Sequence, residues 1–95
     1  MVERLSDDEV ATWLSQVAGW QRDGDAITKQ YTLLGFADAI AFVVRVGFAA
    51  EAANHHPDID IRWNRVRLLL TTHDAGGLTA LDLALAGAVD GISAG

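Results

Sequence analysis

The only proline of this chain, Pro57, stands between a long helical pattern and two short alternating ones. Apolar side chains recur at helical spacing over residues 36–54. The residue before a proline disfavours helical geometry, so the helix is predicted to end at the adjacent histidines His55 and His56. His56 is then expected to lie just outside the helix in an extended conformation.

Two further helices are predicted from capping boxes, in which two side chains close the first turn of a helix. Ser6 and Glu9 form the first box, and the apolar spacing behind them predicts a helix over about residues 7–17. Thr79 and Asp82 form the second box, at the start of the last helix.

Alternating segments between the helices predict two antiparallel hairpins. The first hairpin turns at Asp23-Gly24, and its second strand carries Lys29 on the apolar face, which suggests an edge position. The second hairpin begins with a half-buried strand and turns at residues 64–65. Its last strand is predicted to run on to Asp74, and residues 75–77 are expected to form a flexible loop.

The order of elements predicts the fold class. It is helix, two strands, helix, two strands, helix, in a single domain that spans residues 1–95. We expect an α+β sandwich, with a four-stranded antiparallel sheet and three helices on one face. The long helix carries two apolar stripes, of which one covers the sheet and the other is predicted to meet a second subunit. The second face of the sheet is left partly open.

Composition and charge exclude several classes of function. The chain has no cysteine, so it has no disulfide, thiolate nucleophile or cysteine metal site. Its net charge of -6 argues against direct nucleic-acid binding, and the cluster Arg62, Arg65 and Arg67 is interpreted as a solvated strand face. Residues 36–50, the longest apolar stretch, are interrupted by charges and too short to span a bilayer. The N-terminus is too charged for a signal peptide, so we expect a cytoplasmic protein without membrane contact.

All three histidines lie in the stretch 51–73, and the predicted elements bring His55, His56 and His73 to one end of the sheet. Imidazole, with an unperturbed pKa of about 6.5, gives and takes protons near neutral pH. Several imidazoles in one pocket predict general acid–base catalysis. The bland alternative is that the paired histidines cap the helix C-terminus. The spacing matches no known metal-ligand pattern, so no metal site is predicted.

Each of two acidic residues near the histidines has two possible roles. Glu51 lies one helical turn before His55, so it either orients that imidazole or is an ordinary solvated acid. Asp82 either completes the capping box or holds a histidine or a substrate amine. Spacing alone favours the cap.

The chain carries four motifs around these residues: Glu51-x-x-x-His55-His56-Pro57, Trp63-Asn64, Thr72-His73 and Gly77-Leu78-Thr79-x-x-Asp82. Taken together, these motifs closely resemble the pterin-4a-carbinolamine dehydratase family. The resemblance implies this α+β fold, assembled as a homodimer or homotetramer. It also implies that the chain dehydrates a 4a-hydroxytetrahydropterin to the quinonoid dihydropterin, with the pterin as substrate and no cofactor.

The resemblance also implies roles for individual residues. The acid–base candidates are His55, His56 and His73. The substrate contacts are Glu51, Pro57, Thr72, Asp74 and Asp82, and Trp63 is a candidate wall of the pocket. The rim of the pocket is expected to involve Arg62, Arg65 or the loop 74–77.

Competing functions remain open at this point. Some members of the family act as dimerisation partners or assembly factors for other proteins, so the alternative is a catalytically silent factor with a protein partner. Retention of all three histidines favours the enzyme. A third possibility is the same chemistry on a different pterin.

Overall fold

The computed structural model describes residues 2–94 and confirms the predicted α+β architecture, with three helices on one face of a four-stranded antiparallel sheet. The sheet order is β1-β2-β4-β3. Among residues 2–94, no helix is both long enough and apolar enough to cross a membrane. The elements are α1 (Asp7–Gln16), β1 (Gln21–Asp23), β2 (Ala26–Thr32), α2 (Phe36–Ala53), β3 (Asp58–Arg62), β4 (Arg65–Leu70), a 3₁₀ turn (His73–Ala75) and α3 (Ala80–Ala94).

The core lies between the two central strands and the helices. Strand β4 alternates as predicted, because every second residue is fully buried and faces the helices. On the helix side, α2 contributes four buried residues at helical spacing, and α3 packs beside it. The principal core residues are Ile27, Tyr31, Phe42, Val46, Val66, Leu68, Leu70, Leu85 and Val89.

The ends of the helices follow local capping chemistry. In the predicted box of α1, the Ser6 hydroxyl accepts from the Glu9 N–H at 3.1 Å, and the Ser6 N–H donates to the Glu9 carboxylate at 2.9 Å. Helix α2 ends at Asn54, which adopts a left-handed conformation with φ of 49°. The chain then runs extended through His55 and His56 to Pro57, as the proline rule predicts.

Both hairpin turns differ from the predicted positions by one residue. In the first, Asp23 pairs with Ala26, so the turn is Gly24-Asp25, and Gly24 supplies the required positive φ of 60°. In the second, Arg62 pairs with Arg65, so the turn is Trp63-Asn64, and Trp63 has a φ of 54°. Cross-strand pairing of the flanking residues, rather than the turn residues alone, decides these positions.

Three further predictions about the sheet are wrong. Lys29 does not mark an edge, because β2 lies between β1 and β4. Strand β3 is not half-buried: it is an edge strand whose five residues are all exposed within one chain. Strand β4 ends at Leu70, and the loop after it is anchored rather than free, since Thr72 and Gly77 exchange two backbone hydrogen bonds.

Lys29 is tolerated on the apolar face because a carboxylate on α3 receives it. Its ammonium lies 2.8 Å from Asp90 and 4.8 Å from the centre of the Tyr31 ring. Asp90 also accepts hydrogen bonds from Tyr31 at 2.5 Å and from Trp20 at 3.0 Å. Burial tends to raise the pKa of Asp90, but these hydrogen bonds and the Lys29 charge outweigh it and hold its pKa below the usual value. Burial and the nearby Asp90 raise the pKa of Tyr31 far above its usual value.

We therefore expect Asp90→Asn to destabilise the fold at neutral pH by about 2–4 kcal/mol, because it leaves Lys29 half-buried without a counter-ion. The pKa of this carboxyl is lower in the folded protein than in the unfolded chain, where it is about 3.9. Its contribution to folding stability is therefore complete above the unfolded pKa and is lost as the pH falls through the folded pKa. The difference in unfolding free energy between wild type and variant, from urea titrations, should therefore shrink in acid. Asp25→Asn, in the exposed turn, is the control; an equal effect of both substitutions would contradict the assignment.

Candidate functional site

The structure brings the three histidines together in one pocket of about 270 Å³ at the end of the sheet. The left-handed end of α2 and the extended segment before Pro57 deliver His55 and His56. The 3₁₀ turn after β4 delivers His73 from the opposite side. The lining residues are Asn54, His55, His56, Thr71, Thr72, His73 and Asp74.

His55 is held by Asp82, whose side chain is fully buried at the start of α3. The His55 Nε2 atom lies 2.5 Å from Asp82 Oδ1. The other oxygen, Oδ2, accepts from the Thr79 N–H at 3.0 Å and from the Thr72 hydroxyl at 2.8 Å. Asp82 is therefore a helix cap and a histidine partner at once, so the two readings of this acid are not alternatives. An ionised carboxylate only accepts, so His55 donates from Nε2, and in the neutral imidazole Nδ1 is then the acceptor.

His56 pairs with Glu51, at 2.6 Å between His56 Nε2 and Glu51 Oε1. Both side chains are well exposed. The predicted orientation of His55 by Glu51 is therefore wrong: the left-handed residue Asn54 turns the chain, and Glu51 meets the second histidine instead of the first.

His73 has a different environment from the paired histidines. It is exposed, and no hydrogen bond to its ring is found among residues 2–94. Besides the histidine pocket, it lines a neighbouring concavity that also includes Asp23 and Asp25 of the first hairpin. His73 is thus the one imidazole of the three whose ring nitrogens are both available to a ligand in the described residues.

The other predicted site residues divide into two groups. Thr72 and Asp74 line the pocket, and Pro57 is half-buried directly after His56. Trp63 is not in this pocket: it lies at the opposite end of β3, about 17 Å along the strand at 3.3 Å per residue, and is 67% exposed. Arg62 and Arg65 lie at that same far end, so of the three alternatives for the rim only the loop 74–77 lies at the pocket, through Asp74.

Sequence reasoning missed two pocket residues and one link. Asn54 lines the pocket, and its place between a helix and a His-His-Pro stretch is a helix-end signal that could have found it. Thr71 lines the pocket too, while its hydroxyl donates to the Asp25 carbonyl at 2.6 Å. The hydroxyls of Thr72 and Thr79 lie 2.8 Å apart, which ties the loop after β4 to the start of α3. No spacing in the sequence indicates that link.

The donor set of the site suits proton transfer better than metal binding. Among residues 2–94, no group of three or more histidine, cysteine or acidic side chains is arranged to hold a metal ion. The Nε2 atoms of His55 and His56 are each engaged by a carboxylate. This pairing fixes the orientation of both rings and leaves their Nδ1 atoms for other partners.

Comparison with known families agrees with this geometry. Residues 3–92 match the family described as Pterin 4 alpha carbinolamine dehydratase. The chain belongs to this family. A relative from Roseiflexus sp. (strain RS-1) is 58% identical over 92 residues, 97% of this chain and 99% of its own length. A relative from Nocardia farcinica is 51% identical and covers 93% of both chains. Both carry the provisional name pterin-4-alpha-carbinolamine dehydratase.

Solved structures show the same fold in this dehydratase family and beside it. The transcriptional coactivator/pterin dehydratase from Brucella melitensis superposes with a TM-score of 0.92 at 32% identity, covering 96% of this chain and 99% of that one. A pterin dehydratase-like protein described as a RuBisCO assembly factor in the alpha-carboxysome superposes with a TM-score of 0.64 at 21% identity, covering 78% and 86%. At that identity the second likeness shows the fold alone.

Asp82→Asn should reverse the hydrogen bond that holds His55. The new amide group can donate to Nε2, so the ¹⁵N shifts of the imidazole should change from an Nε2–H to an Nδ1–H tautomer. We also expect the unfolding free energy to fall by about 1–3 kcal/mol, because the buried hydrogen bonds from Thr72 and Thr79 lose a charged acceptor. Asp74→Asn, an exposed acid of the same pocket, is the control. An unchanged tautomer in Asp82→Asn would contradict the assigned pairing.

Proposed function

We propose that this chain acts in the cytoplasm as a 4a-hydroxytetrahydropterin dehydratase that uses histidine acid–base catalysis. The observation that carries the proposal is the pocket in which His55, His56 and His73 converge, two of them oriented by carboxylates. Family membership and the provisional names of the relatives support the same reaction.

The reaction suits such a pocket because it needs two proton transfers and no redox change. One proton leaves N5 of the pterin, the hydroxyl leaves C4a as water after receiving a proton, and a C4a=N5 double bond forms. A base must therefore stand near N5 and an acid near the hydroxyl. Three imidazoles approaching from two sides of one pocket can serve both positions.

The surrounding residues have supporting roles in this proposal. Asp82 and Glu51 hold the rings of His55 and His56 and stabilise the imidazolium that forms when either ring takes a proton. Thr72 and Asp74 offer polar contacts to the ring of the substrate, and Pro57 keeps the histidine segment extended. Trp63 does not line the pocket of its own chain.

The alternative is a catalytically silent assembly factor with a protein partner. The fold neighbour described as a RuBisCO assembly factor makes this a real competitor, although its likeness is to the fold alone. The oriented histidines favour the enzyme, since an assembly role requires no convergent imidazoles.

We also propose that the chain forms a homo-oligomer, a dimer or a tetramer, through α2. Four large apolar side chains recur every fourth residue on the side of α2 that faces away from the core, and such a stripe is characteristic of an interface. They are 39% to 74% exposed in a single chain: Phe36, Ile40, Val44 and Phe48.

His56→Ala should lower kcat of dehydration about 100-fold or more, within the usual contribution of one acid–base group. The fold should be preserved, because this side chain is exposed and lies outside the helix. The measurement is a spectrophotometric assay with freshly generated 4a-hydroxytetrahydropterin, beside a thermal melt. Gln16→Ala, on exposed α1, is the matched control.

A normal kcat in His56→Ala would show that His56 is not an acid–base group of the reaction. No acceleration by folded wild type would favour the assembly-factor reading instead.

Phe48→Glu should shift the sedimentation profile towards a single chain, because burying a new carboxylate in an apolar interface is strongly unfavourable. Thr12→Glu introduces the same charge at an exposed site on α1 and should leave the profile unchanged. A monomeric wild type, or an oligomer that survives Phe48→Glu, would contradict the assignment of α2 as the interface.

A further inference from the structure

The face of the sheet that turns away from the helices carries two adjoining concavities, of about 380 and 350 Å³. Gln30 and Arg67 belong to both, so the two form one continuous groove. The first is also lined by Asp60, Arg62 and Arg65. We call the first concavity, which is lined by Gln30, Asp60, Arg62, Arg65 and Arg67, the arginine groove.

The charge of the arginine groove is opposite to that of the protein. The chain has a net charge of -6, yet three of its seven basic residues meet here and face a single acid. Arg62 makes only a long contact of 3.4 Å to Asp60. Arg67 donates from Nε to the Thr28 hydroxyl at 3.0 Å, which leaves its two terminal nitrogens without a protein partner among residues 2–94. Arg65 has no ion pair or hydrogen bond to its side chain in the same range.

The strand register makes this arrangement costly for the free protein. Arg62 of β3 stands directly opposite Arg65 of β4, and Arg67 follows two residues on, opposite Asp60. Like charges directly opposite each other destabilise a sheet. A strand face that only contacts water does not require two arginines to stand opposite each other. An anion seated between the guanidinium groups would relieve the repulsion.

The chemistry of the groove selects among anions. Guanidinium forks match phosphoryl oxygens in geometry, and the Gln30 amide adds a neutral donor beside them. The volume is that of a small-molecule site. No aromatic side chain lines the groove, so it offers no platform for stacking the bases of a nucleic acid. Asp60 and Asp58 on the same face of β3 would repel the continuation of a long polyanion.

We propose that the arginine groove binds a compact phosphate-bearing anion, of the size of two linked phosphoryl groups. Arg65 and Arg67 supply the principal contacts, Arg62 closes the groove from β3, and Gln30 donates from β2. The groove lies on a different surface from the histidine pocket and shares no lining residue with it. The proposal is therefore independent of the dehydratase reaction.

The test is a titration of pyrophosphate into the ¹⁵N-labelled protein at low ionic strength, with calorimetry in parallel. We expect saturable shifts confined to the groove, at Gln30 and Arg67 among others. Affinity should weaken with added salt, because the groove is exposed. Arg65→Gln/Arg67→Gln should weaken binding at least about tenfold, since charge-assisted hydrogen bonds are lost.

Two single variants sharpen the result. Arg45→Gln removes one positive charge from an exposed position on α2 outside the groove and should change affinity less than twofold, because an exposed charge that does not contact the anion acts only through screened attraction. Asp60→Asn should strengthen binding, because it removes the one carboxylate that neutralises Arg62. Equal weakening by Arg45→Gln and the double variant would mean non-specific charge attraction and would overturn the proposal.

Further ligands and a stability measurement test whether the groove prefers phosphate over other anions and whether binding occurs in the folded groove. ATP and pyrophosphate should compete for the groove, which supports a phosphoryl site whatever the source of the phosphate. A triglutamate peptide that binds as tightly as pyrophosphate would contradict the preference for phosphate. Pyrophosphate should raise the melting temperature of wild type but not of the double variant. Absence of saturation, or shifts that map elsewhere, would refute the site.

Discussion

The buried carboxylate of Asp82 is the contact on which the candidate site depends. It closes the first turn of α3, receives the hydroxyl of the loop after β4 and holds an imidazole from the end of α2. Three segments distant in sequence are therefore joined at one fully buried side chain. A buried carboxylate is tolerated only when its oxygens are hydrogen-bonded, and here each oxygen has a partner. The geometry of the pocket is thus a consequence of satisfying one buried charge.

Termination of α2 is the second constraint. Asn54 adopts the left-handed conformation that ends the helix, and Pro57 prevents its resumption. Between them, two adjacent histidines face different partners, one buried at Asp82 and one exposed at Glu51. The pair therefore offers two imidazoles of unequal solvation in one pocket, an arrangement suited to an acid and a base with different tasks. A continuous helix would have placed the two rings about 100° apart around its axis, on separate surfaces.

The two faces of the sheet have different physical roles. The inner face packs against the helices and tolerates Lys29 only because Asp90 of α3 neutralises it. The outer face is open and polar, and it keeps two arginines opposite each other with only a long contact from Asp60 to Arg62 as compensation. Within the described chain, the exposed edge strand β3 and the apolar stripe on α2 are surfaces that a single copy leaves uncovered. The polar groups of the interior are paired within the chain, whereas these surfaces keep apolar or charged side chains that a partner or ligand could cover.

The sequence by itself determined the order of the elements, the α+β class and the three histidines that converge on the pocket. Periodicity, capping boxes and Pro57 are local signals, and they indicated the type of each element, whereas both hairpin turns and the end of β4 differ from the predicted positions. Only the tertiary structure decided the partners. Glu51 meets His56 instead of His55 because one left-handed residue redirects the chain, and Lys29 lies in a central strand because Asp90, 61 residues away, receives it. Trp63 and Arg62 lie far from the histidines because β3 runs away from the pocket. Such pairings depend on strand order and chain direction, which no local pattern encodes.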